Sequence, residues 1–429
     1  MEEKFDAIIV GAGMAGCAAA YILAKEGQNI LVLERGKYAG AKNVSGGAFF
    51  GPEMNNLFPD FWKEAPIERF INRHVITFLS EESSVSIDFS SSSFNEPPYN
   101  GFTVLRSKFD PWMAKKVEEA GAIVATGLMA EDLIWDNQQV TGVIAGGDEF
   151  AADMVIAADG ANSIIAQKAG LLKAHTPEDM NQGVKEVIQL PRETLENRFN
   201  LTGDSGAAME FVGFCSKGVH GGGFLYTNKE SVSIGMVAQL KALMDNNIKG
   251  VELLEIFKAH PKIAPLIEGG TTVEYSGHLV PAAGFKMMPR LYGDGIMVTG
   301  DAAALTLSTG ISLEGMNFAV ASGIAAAEAA KQAREKGDFS RGTLARYETI
   351  LKESFVLKDL EKFQKAPAFL ENERLYKTYP DLVCGLAERV FKVDGTPKEK
   401  IRKIAREEMK GKVSLWQLLK DGISAGRSM

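Results

Sequence analysis

The sequence predicts an α/β protein with three parts: a doubly wound, Rossmann-like domain, a second domain built on a mixed β-sheet, and a helical C-terminal region. Three observations predict it. The chain opens with a strand, a glycine-rich turn, a helix and a second strand; two later apolar strands each end in a carboxylate; and residues 341–429 have helical periodicity. A length of 429 residues allows two or three domains that share one or two large cores.

The composition indicates an ordinary globular protein, with 45% hydrophobic and 24% charged residues. The formal net charge of −8 argues against nucleic acid as a main partner, because phosphate binding needs a basic surface. The cysteines Cys17, Cys215 and Cys384 are far apart and lack a CxxC pair, which indicates free thiols in a reducing cytosol rather than a metal site. Met1–Lys4 leads straight into a strand, so we expect no signal peptide. No run approaches the roughly 20 apolar residues of a membrane span.

The opening residues have the order of a dinucleotide-binding βαβ unit. Residues 5–10 are an apolar run typical of a buried parallel strand, and residues 11–16 read GAGMAG. Residues 17–24 then predict a helix, and residues 29–33 predict a second strand. A lone GxGxxG is weak evidence, but this complete order predicts a dinucleotide site; it does not by itself separate FAD from NAD.

Each glycine of the turn, and the acidic residue beyond it, has a separate predicted part. Gly11 permits the tight turn, and Gly13 lets the backbone approach a pyrophosphate at the helix N-terminus. Gly16 lets the helix pack close to the strand. Glu34 ends the second strand, 23 residues after Gly11, where its carboxylate can accept hydrogen bonds from ribose hydroxyls.

Two later apolar strands each end in a carboxylate. One strand leads into Asp159 and Gly160, and another leads into Gly300 and Asp301, which a long alanine-rich helix follows. Open α/β sheets bind ligands at the carboxyl ends of their strands, so both carboxylates are candidate ligand contacts. Taken singly, each is also typical of an ordinary strand-to-helix turn.

Together with Arg106, these motifs resemble a flavoprotein group that includes aromatic hydroxylases, geranylgeranyl reductases and electron-transfer-flavoprotein:quinone oxidoreductases. The resemblance implies FAD, held in an FAD-binding doubly wound domain of the glutathione-reductase/hydroxylase type. It implies that Asp301 contacts the ribityl–pyrophosphate region, that Arg106 lies near the cofactor, and that Asp159 supports the site. A second GxGxxG does not follow a later strand in the sequence, so we do not expect a separate nicotinamide domain.

Further segments resemble the quinone oxidoreductase branch: KNVSGG at residues 42–47, GVKEV at 183–187, GGGFLYTN at 221–228, and the stretch 275–289. The resemblance runs nearly the whole length and is closest to the bacterial Fix-type dehydrogenase. It implies an FAD-dependent oxidoreductase that accepts electrons from the α and β subunits of an electron-transfer flavoprotein and passes them to a quinone.

Two other interpretations stay open. The first is a stand-alone flavoenzyme of the geranylgeranyl reductase or aromatic hydroxylase type. Aromatic hydroxylases usually continue the Gly-Asp-Ala-Ala motif with His and prolines, whereas this chain has Ala304 and then residues 305–308, LTLS. The second is a non-catalytic FAD-binding scaffold.

The mitochondrial-type relatives carry their own [4Fe–4S] cluster in a C-terminal extension, and such a cluster usually needs four Cys ligands. Here the last 200 residues contain Cys384 alone. The Fix-type resemblance therefore implies a separate ferredoxin-like [4Fe–4S] subunit. The basic stretch 398–412 and Trp416 are its expected docking region. The expected location is cytoplasmic, peripherally associated with the inner face of the cell membrane.

The predicted FAD contacts are spread over most of the chain: Gly11, Gly13, Ala15, Gly16, Glu34, Arg35, Asn43, Gly46, Gly47, Arg106, Asp159, Gly160, Gly300, Asp301, Gly310, Gly315 and Met316. The candidate quinone contacts are Gly222, Gly223, Phe224, Tyr275 and Gly284. No catalytic acid, base or nucleophile is assigned. Lys185 either pairs with Glu186 at a strand edge or lies near the flavin or quinone, and we expect His278 to be structural.

The sequence predicts three domains. The discontinuous FAD-binding domain comprises residues 1–75, 105–180 and 275–340, and a quinone-facing β-rich domain comprises residues 76–104 and 181–274. Residues 341–429 form a helical region, which is the candidate docking region for a partner. The mixed apolar and basic segment 285–292 is typical either of a membrane-surface loop or of a hairpin tip.

Overall fold

In the computed structural model, residues 4–43, 46–282 and 284–429 are described. Their strands are β1 Phe5–Val10, β2 Ile30–Glu34, β3 Gly47–Phe50, β4 Ile67–Leu79, β5 Ser84–Ser90, β6 Gly101–Val104, β7 Ile123–Thr126, β8 Ala130–Asp136, β9 Gln139–Ala145, β10 Asp148–Ala157, β11 Met180–Gln189, β12 Ser205–Gly213, β13 Gly221–Thr227, β14 Ser231–Gln239, β15 Thr271–Pro281, β16 Tyr292–Gly293, β17 Ile296–Val298, β18 Leu307–Ser308 and β19 Leu313–Glu314.

The helices of the described residues follow the same chain order. They are α1 Met14–Lys25, α2 Pro52–Leu57, α3 Arg106–Glu119, α4 Ile164–Lys168, α5 Arg192–Phe199, α6 Leu240–Asp245, α7 Gly250–Ala259, α8 Ala264–Ile267, α9 Met316–Lys336, α10 Arg341–Leu344, α11 Arg346–Glu353, α12 Phe355–Lys362, α13 Ala366–Leu370, α14 Thr378–Phe391, α15 Ile401–Met409 and α16 Leu415–Ser428.

The first sheet has the strand order β16-β17-β10-β1-β2-β7, and β17, β10, β1, β2 and β7 run parallel. Strands β8 and β9 form an antiparallel hairpin that pairs with the first half of β10. Helix α1 packs against α3 and α9. A Cβ at Gly323 would lie 2.3 Å from the Ala15 carbonyl oxygen, so glycine there lets α9 approach α1 closely. The predicted doubly wound α/β domain is confirmed.

The second sheet has the order β15-β11-β14-β13-β12-β4-β6-β3, with β5 beside β4. Strands β12 and β4 are parallel and the other pairs of this sheet are antiparallel, so the sheet is mixed as predicted. Helices α6 and α7 pack against β11 and β14. Phe257 of α7, Leu225 of β13 and Ile234 of β14 are buried in the core beneath this sheet.

The boundaries of the two sheets differ from the predicted division. Strand β3 and the first half of β4 lie in the second sheet, although residues 1–75 were assigned to the nucleotide-binding domain. All of β15 pairs with β11 in the second sheet, although residues 275–281 were assigned to the first. An apolar strand pattern shows that a strand is buried but does not show which sheet it joins, and this chain crosses between its sheets repeatedly.

The segment 285–292 turns its apolar side chains inward. Phe285 and Met288 pack against the core of the first sheet, while Lys286 and Arg290 are exposed. Arg290 donates to the Gly170 carbonyl, 2.7 Å away. The apolar side chains therefore stabilise the fold, and a membrane-surface loop is not the better interpretation of this segment.

Within residues 4–43, 46–282 and 284–429, no helix is long and apolar enough to cross a bilayer.

Candidate cofactor site between the two sheets

A cavity lies between the carboxyl ends of the parallel strands and one face of the second sheet. Strands β17, β10, β1 and β2 are consecutive neighbours, so the residues that follow them meet at one edge. The cavity wall contains most of the predicted FAD contacts, namely Gly11, Gly13, Ala15, Glu34, Arg35, Asn43, Gly46, Gly47, Arg106, Asp159, Gly160, Gly300, Asp301, Gly315 and Met316.

The three glycines of the first turn are under different steric constraints. Gly11 has a φ of +106°, and a Cβ on it would lie 2.3 Å from the Ala158 carbonyl oxygen. A Cβ on Gly16 would lie 1.9 Å from the Gly11 oxygen, so Gly16 acts through packing and does not line the cavity. Gly13, the N-cap of α1, has no heavy atom within 4 Å of its Cβ position. The open space at Gly13 is where a ligand can approach the backbone.

Glu34 connects two turns at the cavity wall. Its Oε2 accepts a hydrogen bond from the Ala12 amide at 3.0 Å, and its Oε1 accepts one from the Gly36 amide at 2.6 Å. The side chain is buried yet lines the cavity. Each carboxylate oxygen can accept more than one hydrogen bond, so Glu34 can still receive hydroxyl donors from a ribose.

Arg106 and Asn43 are held by a carboxylate that the sequence analysis did not single out. Arg106 donates to both oxygens of Asp110, with Nε–Oδ1 at 2.6 Å and Nη2–Oδ2 at 2.8 Å. Asn43 donates to the same Oδ2 at 2.6 Å. Asp110 is almost fully buried. The i, i+4 spacing of Arg106 and Asp110, which lie on α3, was the available signal for this pair.

Unpaired polar groups at the cavity wall fit a polar ligand. Among the described residues, no group donates a hydrogen bond to the Asp301 carboxylate, and burial raises its pKa while the charge of Arg106 opposes that rise. The hydroxyl of Thr306 is buried without a partner on the same wall. Leaving such groups unpaired is costly, so a ligand with hydroxyl or amide groups would stabilise this wall.

Asp159 is partly satisfied by the turn that follows it. Its carboxylate accepts hydrogen bonds from the Ile165 amide at 3.0 Å and from the Ser163 hydroxyl at 3.2 Å. Burial raises its pKa, and these hydrogen bonds work in the opposite direction. Asp159 therefore shapes the turn after β10 at the edge of the cavity, as a supporting residue would.

The opposite wall, from the second sheet, contains a buried cation. The Lys185 ammonium donates to the Gly46 carbonyl and lies 5.6 Å from the centre of the Phe224 ring. Burial, and then the charge of Arg106, lowers the pKa of Lys185 to about 7. Glu186 faces the other side of the sheet and pairs with Lys258, because neighbouring residues of a strand point to opposite faces. The ion pair between Lys185 and Glu186 is therefore absent, and Lys185 lines the cavity.

Comparison with known proteins identifies the family. The chain is 45% identical over 422 residues to Protein FixC of Escherichia coli K12, and the match covers 98% of both chains. It is 43% identical over 428 residues to "Probable electron transfer flavoprotein-quinone oxidoreductase YdiS" of the same organism, covering 100% of both. Residues 366–429 match the ETF-QO/FixC family C-terminal domain. The chain belongs to the ETF-QO/FixC family.

Two further family matches each cover one part of this ETF-QO/FixC protein. Residues 6–70 match the FAD dependent oxidoreductase family, and residues 181–280 match the family described as ETF-QO, ubiquinone-binding. The protein is an FAD-dependent oxidoreductase, so the predicted cofactor and family are confirmed. The steric opening at Gly13 and the unpaired groups at Asp301 and Thr306 fit FAD as the ligand of this cavity.

Solved structures confirm the fold alone. A geranylgeranyl bacteriochlorophyll reductase-like protein from Thermoplasma acidophilum aligns with a TM-score of 0.72 at 22% identity, over 99% of this chain and 100% of that chain. The flavin-dependent brominase Bmp2 aligns with a TM-score of 0.63 at 15% identity, over 99% of this chain and 98% of that one.

Most of the predicted quinone contacts do not line the cavity of this ETF-QO/FixC protein, and Phe224 is the one that does. A Cβ on Gly222 would lie 2.8 Å from the Phe211 carbonyl oxygen, and one on Gly223 would lie 2.8 Å from the Phe257 ring. These glycines allow close packing of β12 and α7, rather than the close approach of a ligand that the sequence suggested. Tyr275 is 53% exposed on the outer strand β15.

Two predicted glycines lie against the C-terminal helices instead of the cavity. A Cβ on Gly310 would lie 2.6 Å from Leu370 Cδ2, and one on Gly284 would lie 3.1 Å from Pro367 Cγ. Both positions have a positive φ, which glycine adopts without strain.

Three residues of the segments that resemble the quinone oxidoreductase branch lie outside the described residues. They are Val44 and Ser45 of the 42–47 segment and Ala283 of the 275–289 segment.

Tyr226 and His278 also line the cavity, although the sequence analysis did not assign them to the site. Tyr226 lies two residues beyond Phe224, and this spacing places both side chains on the same face of β13. His278 pairs with Gly183 across β15 and β11, and burial lowers its pKa. Side chains alternate between the two faces of a strand, so the position of Tyr226 two residues after Phe224 could have predicted that it lines the cavity. The position of His278 depends on the pairing of β15 with β11, which the sequence does not give.

Proposed function

We propose that this protein accepts electrons from an electron-transfer flavoprotein with α and β subunits and passes them through FAD to a quinone. The observation that carries this proposal is the identity of 45% to FixC and 43% to YdiS over nearly the whole of each chain. The match of residues 181–280 to a ubiquinone-binding family supports the acceptor. The wall from Lys185 to Tyr226 lies within that match and faces the motifs of the first sheet across one cavity.

When bound, FAD supplies both one-electron and two-electron chemistry, which suits transfer between a protein donor and a quinone. In our proposal, the amides at the N-terminus of α1 bind the pyrophosphate beside Gly13, and Glu34 orients the adenosine ribose. Asp110 holds Arg106 in place near the cofactor. The N-terminus of α9 at Met316 contributes a positive dipole end to the same cavity.

The function test is the anaerobic reaction of the FAD-loaded protein with donors and acceptors. We expect photoreduced flavin to be reoxidised by ubiquinone and menaquinone analogues, and the oxidised flavin to be reduced by reduced electron-transfer flavoprotein. NADH and NADPH should not reduce it rapidly, because the sequence contains one dinucleotide motif. Stopped-flow absorbance of the flavin measures all three reactions.

Two results would contradict the proposal. Flavin that stays reduced with excess quinone analogues would remove the quinone role. Rapid bleaching of the flavin by NADH or NADPH would instead favour the stand-alone flavoenzyme of the geranylgeranyl reductase or aromatic hydroxylase type.

We also propose that a ferredoxin-like [4Fe–4S] subunit binds the C-terminal region. The C-terminal region exposes large apolar side chains at Phe391, Val393, Ile401, Leu415 and Trp416, with Phe391 82% and Trp416 76% exposed. In the sequence, the basic stretch 398–412 lies between Val393 and Leu415. Exposed apolar side chains accompanied by charged ones are typical of a partner interface. The three cysteines of the sequence are too few for a four-thiolate cluster within the chain.

Co-purification tests this partner. We expect the native complex to contain a small iron-containing subunit, and Trp416→Glu to lose it, because a buried charge opposes apolar contact. The matched control is Trp135→Glu, since Trp135 is a 44% exposed tryptophan on β8 and belongs to no part of the C-terminal region 341–429. Iron analysis and mass spectrometry of the purified complex give the result. A fully active complex of this chain and the two flavoprotein subunits, with no iron, would contradict the proposal.

We propose that the protein acts in the cytoplasm, in peripheral contact with the inner face of the cell membrane. The reason is chemical: a long-chain quinone dissolves in the bilayer, so an enzyme that reduces it must reach the membrane surface.

A further inference from the structure

One end of the cavity lies between the N-terminus of α9 and the second sheet, and three polar features line it. The first is the N-terminus itself, at Met316, which is the positive end of a 21-residue helix dipole. The second is the Thr306 hydroxyl, which is buried and has no hydrogen-bond partner among the described residues. Thr306 lies beside this N-terminus, since a Cβ on the N-cap residue Gly315 would be 3.4 Å from Thr306 Cγ2. The third is the Lys185 ammonium of β11.

The backbone of Gly46 and Gly47 connects Lys185 to the N-terminus of α9. Lys185 donates a hydrogen bond to the Gly46 carbonyl. A Cβ on the next residue, Gly47, would lie 3.1 Å from Met316 Cε, so Gly47 packs against the first residue of α9. The buried ammonium and the positive end of the helix therefore meet at the same end of the cavity, from opposite walls.

The position of Lys185 is determined by the second sheet. Its ammonium lies 5.6 Å from the centre of the Phe224 ring. The ring can lie there because Gly235 is opposite both residues, and a Cβ on Gly235 would be 2.4 Å from the ring. Gly46 is fixed as well, with a φ of +76° and a Cβ position only 2.1 Å from Ser233 Oγ. The carbonyl and the ring are neutral groups, so they hold the ammonium without cancelling its charge.

The other basic side chains of the cavity wall are in different surroundings. Arg35 and Lys42 are exposed to solvent. Arg106 donates to both oxygens of the Asp110 carboxylate. Lys185 is only 6% exposed, and a buried charge is screened much less than an exposed one. We therefore expect Lys185 to act more strongly than Arg35, Lys42 or Arg106 on the charge of a bound ligand.

The proposed position of FAD puts its flavin ring at this end of the cavity. The pyrophosphate beside Gly13 and the adenosine ribose at Glu34 occupy the carboxyl ends of β1 and β2. The family resemblance assigns the ribityl region to Asp301, and the turn that contains Asp301 packs against α9. The ring is the part of FAD that remains, and beyond Asp301 the cavity wall consists of the N-terminus of α9 and the second sheet.

We propose that Lys185 stabilises the negative charge that the flavin ring gains on reduction and thereby raises the reduction potential of the FAD, an inference that rests on the proposed position of FAD. Reduction of the ring by two electrons and one proton leaves it with one negative charge. In our proposal the electrons come from the electron-transfer flavoprotein and the proton comes from water. The ammonium favours the anionic reduced ring over the neutral oxidised ring. A higher potential makes the flavin a better acceptor for electrons from its protein donor.

The experiment compares Lys185→Gln, Lys185→Met and Lys185→Arg with the control Lys258→Met. Glutamine removes the charge but retains an N–H donor for the Gly46 carbonyl, methionine removes both, and arginine retains the charge. Lys258 pairs with Glu186 on the other face of β11, so the control removes a positive charge from the same sheet but not from the cavity. FAD content and the thermal midpoint are measured first, to identify the variants that are folded and loaded.

Two measurements report the effect on the flavin without a quinone or a protein donor. The first is the reduction potential, from equilibration with a reference dye. The second is the affinity for sulfite, whose sulfur forms a bond to the oxidised ring and leaves a negative charge on it. We expect Lys185→Gln and Lys185→Met to weaken sulfite binding about tenfold and to lower the potential by about 30 mV, which is a tenfold change for a two-electron couple. Lys185→Arg and Lys258→Met should stay close to the wild-type values.

Three results would overturn the inference. The first is an unchanged potential and sulfite affinity in folded, FAD-loaded Lys185→Gln. The second is an equal change in Lys258→Met, which would show a general effect of charge on the sheet. The third is loss of FAD from both Lys185→Gln and Lys185→Met, which would show that Lys185 binds the oxidised cofactor as strongly as the reduced one. A wild-type flavin that does not reduce quinone analogues would instead remove the proposed acceptor and leave these measurements unaffected.

Discussion

Replacing Gly13 with alanine should leave the protein folded and remove most of its FAD, whereas replacing Gly16 with alanine should prevent the βαβ unit from packing. The two glycines belong to one turn, but a methyl group meets different surroundings at each. At Gly13 it would project into open space, with no heavy atom within 4 Å. At Gly16 it would lie 1.9 Å from the Gly11 oxygen and 3.3 Å from an Ile9 methyl group.

The expected effect of Gly13→Ala is therefore on the ligand. The backbone of Gly13 has φ −84° and ψ −173°, which alanine adopts without strain, so the FAD-free chain should lose no stability. The methyl group occupies the space through which the pyrophosphate approaches the amides of α1. We expect FAD affinity to fall at least tenfold, about 1.4 kcal/mol.

The expected effect of Gly16→Ala is on the fold. Its clash is with backbone, which cannot move aside without separating α1 from β1, and overpacking of this kind costs about 3 kcal/mol or more. Alanine is the better helix former, but that gain of about 1 kcal/mol is smaller than the clash. Flavin absorbance per chain and the thermal midpoint, measured with and without added FAD, separate the two variants. Equal loss of stability in both, or normal FAD binding by Gly13→Ala, would contradict the assigned parts.

The second large effect concerns Arg69, an arginine with 0% of its side chain exposed. Its Nε donates to the Asn228 carbonyl at 2.7 Å, and its Nη1 donates to the carbonyls of Gly203 and Ser205 at 2.9 and 3.0 Å. These bonds connect β4 to the start of β12 and to the turn between β13 and β14. Burial lowers the pKa of this guanidinium, and backbone carbonyls are its hydrogen-bond partners in place of water.

Arg69→Met should reduce the free energy of unfolding by about 3–5 kcal/mol. Methionine fills much of the volume but removes the donors to the buried Asn228 and Ser205 carbonyls, and each buried group left unpaired costs about 1–3 kcal/mol. The matched control is Arg192→Met. Arg192 pairs with Glu196, as Arg69 does, and also donates to Gly203, but its side chain is 43% exposed. An exposed pair of this kind contributes about 1 kcal/mol or less.

Urea denaturation of the FAD-loaded proteins measures both variants against wild type. A loss in Arg192→Met as large as that in Arg69→Met would show that the ion pair with Glu196, rather than the buried carbonyl bonds, holds this end of the sheet. Since β13 also contains Phe224 and Tyr226 of the cavity wall, a destabilised Arg69 variant should lose quinone reduction at temperatures where wild type retains it.

The nucleotide-binding turn could be predicted from sequence because its requirements are local. Gly11, Gly16 and Glu34 meet their constraints within one βαβ unit, and the strand, turn and helix order already specifies their geometry. The same holds for Asp159 and Asp301, which follow apolar strands and so lie at the carboxyl edge of a parallel sheet. The cofactor and family followed from these motifs and from resemblance, and the comparisons confirm them.

The second wall of the cavity was decided by tertiary structure. Whether Gly223 or Phe224 faces the cavity depends on which side α7 covers, and the local sequence GGGF does not specify that side. Lys185 and Glu186 are adjacent in sequence yet face opposite sides of the sheet, so their apparent ion pair does not form. The register of β12 with β13 places Glu210 opposite Phe224. Strand register and the choice of face depend on partners far away in the chain, whereas the opening motif depends on its own turn.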